Sequence, residues 1–403
     1  MTGTQGNQTT SQVSRSSLSV LFSVVFLDNL GFAIVLPYLY YYAQSLGGSD
    51  FVYGLLLASY SLMSFAFTPV VARLSDRFGR RNILLVSLAA SSFSYFLFGT
   101  AQALWLLFVA RMLAGTTAAT VPVAQAYVAD VTTDRDRLKY LGFLGAAASL
   151  AFILGPAVGG ALGDLYGYAM PSFLASGLAL ANLISAYLRL PEPIRAQGDG
   201  QGRAFTFGTL KDVLRKRQMA LLLTVYFLVF TSFLFLQTAL PPWLQRLFGF
   251  GSLETGLIFF FVGAVVTFTQ AVLLPRLSRK VTRINLVLIG TAVLAAGLWA
   301  LSFSQNLVLM LGMAALISFG FGAQLITINA LISVSAPKEA QGGTLGVAQS
   351  LVALAQTISP VAATTIFVFG TSVGAAGLVF MVSGTITLAT VPLALNLRKT
   401  VKE

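Results

Sequence analysis

Twelve apolar runs follow one another along this 403-residue chain, separated only by short polar breaks. A helix needs roughly 20 apolar residues to cross the hydrocarbon of a bilayer, where backbone polar groups must be paired within the segment. Runs of this length therefore point to membrane-spanning helices. They lie near residues 17–44, 53–72, 82–100, 105–128, 140–163, 169–190, 219–242, 254–275, 284–304, 306–330, 342–369 and 373–396. The hydrophobic fraction of 56%, the charged fraction of only 9% and a mean hydropathy of +0.82 agree, because such a surface is too apolar for water. An all-α membrane protein is the expected fold class.

Orientation follows from the cations. Counted over the segments between runs, 23 of the 25 Lys and Arg fall on the side that carries the N-terminus. Of the other two, Arg246 lies on the opposite side and Arg111 within a run. The positive-inside rule then places both termini in the cytoplasm. The net charge of +12 is accounted for by topology, and it predicts contact with anionic lipid headgroups on the cytoplasmic side in preference to nucleic acid. A first apolar run long enough to remain as a helix, behind sixteen polar residues, gives no expectation of a cleaved signal peptide.

Several function classes are disfavoured at this level. The chain has no Cys and no His, which removes thiol chemistry and the commonest metal ligands, so neither a metal nor a cofactor is expected. With no Walker motif and no nucleophile-base pair, an ATP-driven pump or a membrane enzyme has no support.

The chain also repeats itself. Ala72-Arg-Leu-Ser-Asp-Arg-Phe-Gly-Arg-Arg81 has a weaker copy in Pro275-Arg-Leu-Ser-Arg-Lys-Val-Thr-Arg283, each between two apolar runs. Leu36-Pro37 answers Leu240-Pro241, Gly54-Leu55 answers Gly256-Leu257, Leu141-Gly142 answers Leu345-Gly346, and Gly155-Pro156 answers Ser359-Pro360, all at offsets of 202 to 204. Two pseudo-symmetric six-helix bundles are predicted, 17–190 and 219–396. A Gly-, Pro- and basic-rich cytoplasmic linker at 191–218 joins them, and polar tails cover 1–16 and 397–403. Parallel halves of this kind hold a ligand between them near the bilayer midplane.

Two charges stand out inside the runs. Of 13 acidic residues, Asp28 alone lies deep within one, and an ionisable group at that depth normally faces a cavity or a partner. Burial favours its neutral form and a nearby cation its ionised form, so a modest rearrangement switches its protonation. Arg111 is the matching cation, and Arg111, Gly115, Ala118, Pro122 and Gln125 share a helical face expected to line the cavity. A guanidinium keeps its charge, so it biases a neighbouring carboxylate without releasing a proton. A direct Asp28–Arg111 pair and a snorkelling Arg111 both remain open at this stage.

Leu74, Ser75, Asp76, Arg77, Gly79, Arg80 and Arg81 match the loop signature of the major facilitator superfamily, with Ala72 in place of its first Gly. Leu27-Asp28-Asn29-Leu30-Gly31-Phe32, Arg111-x-x-x-Gly115, and the set Gly142, Gly155, Pro156, Gly159 and Gly160 resemble first-, fourth- and fifth-helix signatures of its twelve-helix drug:proton antiporters. The resemblance implies a proton-coupled antiporter exporting small lipophilic molecules by alternating access. On it, Asp28 and Arg111 couple to the proton, the Asp76–Arg81 loop gates, and the fifth-helix glycines seal against leaks. It also implies an inner- or plasma-membrane monomer whose partners are a small-molecule substrate and protons. The third- and ninth-helix carboxylates and the second-half His of the tetracycline exporters have no counterpart here, Ser94 standing at the third-helix position.

The expected substrate cavity draws on Asn29, Phe32 and Gln125 from the first half. From the second half it draws on the stripe Tyr226, Phe230, Phe233 and Gln237, with the intramembrane amides Gln270, Gln324, Asn329, Gln349 and Gln356. Two other functions fit parts of the pattern, a facilitator or symporter for a polar solute such as a sugar and a non-transporting scaffold or sensor. The embedded charges speak against the scaffold and the fifth-helix set against the symporter.

Overall fold

The computed structural model describes residues 15–193, 217–336 and 341–400. Twelve helices among them are long and apolar enough to cross a membrane. They are α1 (Leu18–Ser45), α2 (Asp50–Phe78), α3 (Arg80–Gly99), α4 (Leu104–Val131), α5 (Lys139–Tyr166), α6 (Ala169–Arg189), α7 (Arg217–Phe248), α8 (Ser252–Leu277), α9 (Arg283–Ser302), α10 (Leu307–Ser335), α11 (Gly343–Ser372) and α12 (Leu378–Leu397). Most of the predicted linker, 194–216, lies outside the described residues. Large apolar side chains such as Trp105, Val86, Phe93, Phe96 and Val308 are exposed, which is the surface a lipid solvent requires.

Two spans run about six residues past their expected ends. α2 continues through the polar Arg73–Phe78 stretch because helix formation does not stop where apolarity does. It ends only at Gly79, whose φ of +98° disfavours any residue with a Cβ. α7 continues through Pro241-Pro242 to Phe248.

Three spans are interrupted, each one turn before a proline that cannot donate its N–H. α4 breaks at Thr117–Ala119 ahead of Pro122, and α12 breaks at Ala389 ahead of Pro392. In α8 the turn Thr269–Leu273 widens into a π-helix ahead of Pro275.

The helices form two bundles, α1–α6 and α7–α12, joined chiefly by α2 against α11 and α5 against α8. The bundles are built differently inside. The second has one large apolar core from Met219 to Leu397, with a small separate cluster of Leu274, Leu286 and Ala323. The core of the first is split into a cluster around Val20–Val25, Leu84 and Tyr127 and another around Ile34–Ala43, Tyr53 and Leu107. Between these clusters in the chain lie Asp28 and Asn29 of α1, Ser91 of α3, and Arg111 and Thr117 of α4, with the Ser91 and Thr117 hydroxyls 3.1 Å apart. A polar belt therefore crosses the first bundle at mid-depth.

Candidate transport pathway

A cavity of about 340 Å³ lies between the bundles. α5 lines it with Ser149, Phe152, Ile153 and Pro156, α7 with Phe230, Phe233 and Gln237, and α8 with Phe259, Thr267 and Gln270. Phe321 of α10 and Gln356 of α11 complete the wall, and none of the lining residues is ionisable. Phe233 and Phe321 stack at 3.8 Å with an interplanar angle of 6°, and Phe230 meets Phe321 edge-on.

One end of this pathway is closed by direct contact between bundles. We call it the far end, since the Arg80, Arg283 and Gln218 turns gather at the other, basic end. Gly256 of α8 sits on the Pro156 carbonyl of α5, leaving no room for a Cβ, and Gly160 faces the Ser252 carbonyl in the same way. The pseudo-symmetric joint repeats this, with Gly54 of α2 against the Pro360 carbonyl and Thr364 of α11. Gly155 and Gly159 press instead on Ala33 and Ile34 of α1 within their own bundle.

Polar bonds reinforce the closure. Asp50 at the start of α2 forms an ion pair with Arg246 near the end of α7. The Tyr40 hydroxyl lies 2.8 Å from the Gln245 amide oxygen and 3.1 Å from the Asp50 carboxylate and shares its one proton between them, while Gln245 donates to Gln44 at 2.8 Å. Tyr41 reaches the Thr255 hydroxyl at 2.7 Å and the Phe250 carbonyl at 3.1 Å. The two flanking tyrosines stay within the first bundle, Tyr38 bonding Ser172 at 2.8 Å and Tyr42 the Ala101 carbonyl at 2.7 Å. The Tyr38–Tyr42 row thus holds α1 to its own half with two hydroxyls and to the other half with two. Sequence reasoning missed this row, whose signal was the unusual density of tyrosine at the end of an apolar run.

The embedded charges occupy the polar belt but do not meet as an ion pair. Arg111, 3% exposed, donates to the Leu56 carbonyl at 3.5 Å and lies over the ring of Tyr60 at 4.5 Å and of Phe32 at 5.8 Å. Its position inside an aromatic cage removes the snorkelling alternative. Asp28 has the buried Thr120 hydroxyl beside it. Tyr60 and Tyr95 stand near both charges, and Tyr95 packs directly on Gly31, one turn from Asp28. Neither tyrosine was singled out from sequence. Phe32 also packs edge-on against Phe152 at 5.9 Å, so one ring separates Arg111 from the cavity wall.

At the basic end, the Asp76–Arg81 loop is a set of bonds within the first bundle. Arg80 bridges Asp76 at 2.6 Å and Asp130 of α4 at 3.0 Å, and it donates to Ser75 at 2.7 Å. The Arg81 amide donates to the Glu192 carboxylate at 3.1 Å and its guanidinium to the Tyr187 carbonyl at 2.7 Å. Arg77 lies over Phe78. A Cβ at Gly79 would overlap Glu192. The Asp76 side chain is 61% exposed.

The structure sorts the expected cavity residues. Phe230, Phe233, Gln237, Gln270 and Gln356 line the cavity. Phe32 lies one ring behind the wall, and Tyr226 is buried, its hydroxyl accepting from Asn329 at 3.2 Å. Gln324 is fully buried and donates to Thr291 and to the Val287 carbonyl, so it ties α10 to α9. Asn29 donates to the Val25 carbonyl in its own helix at 2.7 Å, and Gln349 is exposed away from the lining. The continuous face from Arg111 to Gln125 does not exist. The break at Thr117–Ala119 buries Arg111 and Gly115 and leaves Pro122 and Gln125 exposed. Gly142 is exposed with open space where its Cβ would be, so it makes no close packing here. Ser94 donates to the Ala110 carbonyl at 2.7 Å, an α3–α4 contact. Phe152, Phe259 and Phe321 were missed because a phenylalanine facing a cavity has the same pattern as one facing lipid.

An uncharged chamber between two six-helix bundles that touch at one end defines a membrane transporter, and the sequence places it. The chain belongs to the major facilitator superfamily, whose model matches residues 21–360. Tetracycline resistance protein, class B, of Escherichia coli is 29% identical over 353 residues, covering 86% of this chain and 87% of that protein. Multidrug resistance protein 1 of Bacillus subtilis (strain 168) is 27% identical over 350 residues, covering 86% and 88%. Among solved structures, a bacterial homolog of the human lysosomal transporter Spinster, in an inward-facing and unoccupied conformation, aligns with a TM-score of 0.83 at 16% identity over 95% of this chain and 96% of that one. That likeness is one of fold. The chain is an integral membrane protein and a transporter of small molecules.

Proposed function

We propose that this protein is a proton-coupled antiporter that exports small lipophilic molecules from the cytoplasm by alternating access. The observation that carries the reading is an apolar chamber between the bundles, closed at the far end by contacts between halves, beside a bundle whose core is cut by a belt holding Asp28 and Arg111. Relatives named for tetracycline and multidrug resistance support export of drug-like molecules.

In this reading the basic end faces the cytoplasm, with both termini there and its cations against anionic headgroups of the inner or plasma membrane. The bundles 17–190 and 219–396 rock as units about the cavity, with 191–218 linking them, and a monomer suffices. Asp28 is the proton site, because it is the one carboxylate deep in a span and no His shares the work. Arg111, fixed in its aromatic cage, acts on Asp28 through the tyrosines of the belt. Asp76 and the cations around it set the balance between the inward- and outward-open states. The far-end contacts must release for the substrate to leave.

The test is efflux from proteoliposomes with an imposed pH gradient. Uptake of a lipophilic dye coupled to proton counterflow supports the reading. Dye movement indifferent to the gradient, or in the same direction as the proton, overturns it.

A further inference from the structure

The three amides that line the cavity, Gln237, Gln270 and Gln356, come from three different helices, α7, α8 and α11. Among the described residues none of the three has a hydrogen-bond partner, in contrast to Gln324, whose amide nitrogen is engaged within the bundle. At the offset of 204 that relates the halves, Gln237 and Gln356 answer to Ala33 and Phe152. The hydrogen-bonding capacity of the chamber is therefore concentrated on one wall. Gln356 is exposed and Gln237 and Gln270 half-buried, so these amides stay free for a ligand that replaces the water they otherwise hold.

The same chamber offers little to a permanent cation. No lining residue is ionisable, and a cation entering it gives up hydration with no carboxylate to replace that water. Aromatic faces are the usual substitute, but of the five phenylalanines that line the chamber Phe233 and Phe321 spend one face each on the other, and Phe152 and Phe230 are held edge-on to Phe32 and Phe321. Flat apolar walls with free amides instead match a planar aromatic molecule that carries neutral carbonyl or N–H groups. A cavity of about 340 Å³ sits at the small end of ligand pockets and suits a molecule of two or three fused rings.

We propose that Gln237, Gln270 and Gln356 select uncharged, planar aromatic substrates bearing neutral hydrogen-bonding groups, and that permanent cations of the same shape are poor ligands. The inference rests on the transport reading for its meaning, but its test is equilibrium binding and needs no proton coupling.

Two fluorescent tricycles of matched outline separate the possibilities, neutral acridone and the cation N-methylacridinium, titrated onto the full-length protein in nanodiscs at pH 8. Acridone should bind at least tenfold more tightly. Gln237→Leu, Gln270→Leu and Gln356→Leu should each weaken acridone about three- to tenfold and leave N-methylacridinium unchanged, which a folding defect would not do. Gln356→Glu should raise the affinity for N-methylacridinium about tenfold, a gain that no misfolded variant can show. Equal or tighter binding of the cation by the unmodified protein, no binding of acridone, or indifference of acridone to all three leucine variants would each overturn the proposal. Selective acridone binding without proton-coupled transport would uphold the selectivity and remove only the antiport mechanism. Proton-coupled transport of the cation alone would do the reverse.

Discussion

Asp50 and Arg246, 196 positions apart in the chain and on opposite bundles, form the ion pair that closes the far end of the transport pathway. Asp50 is 8% exposed and Arg246 44%, so the pair lies at the rim of the seal with its anion inside and its cation in reach of water. Arg246 is also the one cation assigned by sequence to that side of the membrane. Its isolation there is explained by a partner on the other half.

The pair predicts a conformational phenotype. Arg246→Ala should lower the closed-to-open ratio at the far end by about fivefold, from an interaction worth about 1 kcal/mol at a half-exposed site. The chain contains no Cys, so paired labels introduced at far-end positions report distance without background. Distance distributions identical in the variant and the parent would remove the ion pair as a lock.

A backbone contact should matter more than a rim charge. Gly256→Val places atoms where the Pro156 carbonyl lies, and overpacking of this kind costs about 1–3 kcal/mol. The cost falls on the far-end-closed state alone, so the variant should favour far-end opening and lose transport while remaining folded. Gly142→Ala, at a position with open space, should behave like the parent. Efflux assays on both, with labelling of a single introduced Cys from the far side, check the pair.

Asp28 carries a pH prediction that follows from exclusion. If substrate binding favours the state of the pathway in which this carboxylate is deprotonated, substrate affinity rises with pH as the group deprotonates, and substrate addition releases protons. Asp28→Asn should abolish proton release and make affinity independent of pH. Proton release measured on detergent-solubilised protein decides, and release unchanged in the variant would place coupling elsewhere. Arg111→Lys should weaken coupling as Arg111→Ala does, because a lysine cannot reproduce a planar guanidinium over Tyr60.

Gln324 and Gln356 should separate stability from binding. Gln324→Leu breaks the buried bond to Thr291 and should cost about 1 kcal/mol, read as a lowered unfolding temperature in detergent, with ligand affinity intact. Gln356→Leu should leave the unfolding temperature unchanged. An effect of Gln324→Leu on ligand affinity would contradict its role as an α9–α10 tie.

Much of the architecture was legible because the bilayer restricts the alternatives. Apolar runs of sufficient length have to be helices, and the offsets of 202 to 204 pair Gly54 with Gly256 and Pro156 with Pro360 before any coordinates exist, although their contacts appear only in the structure. Span ends were less legible at α2 and α7, since a helix continues into water for as long as its backbone allows. The α4 face failed because a single proline, Pro122, interrupts the periodicity that a helical projection assumes.

What the sequence determined by itself, then, is the set of spans, the two-fold repeat, the gathering of cations between spans at one end and the depth of Asp28, because each depends on distance along one helix and on the solvent around it. What only the tertiary structure decided is which side chains face one another. Arg111 is caged by Tyr60 and Phe32 instead of paired with Asp28, Gln324 serves packing while Gln356 serves the cavity, and Tyr40, Tyr41 and Asp50 reach across to the other bundle. Inside a membrane protein an apolar or amide side chain is equally acceptable facing lipid, a neighbouring helix or a chamber. Only the packing of helices distant in sequence distinguishes the three.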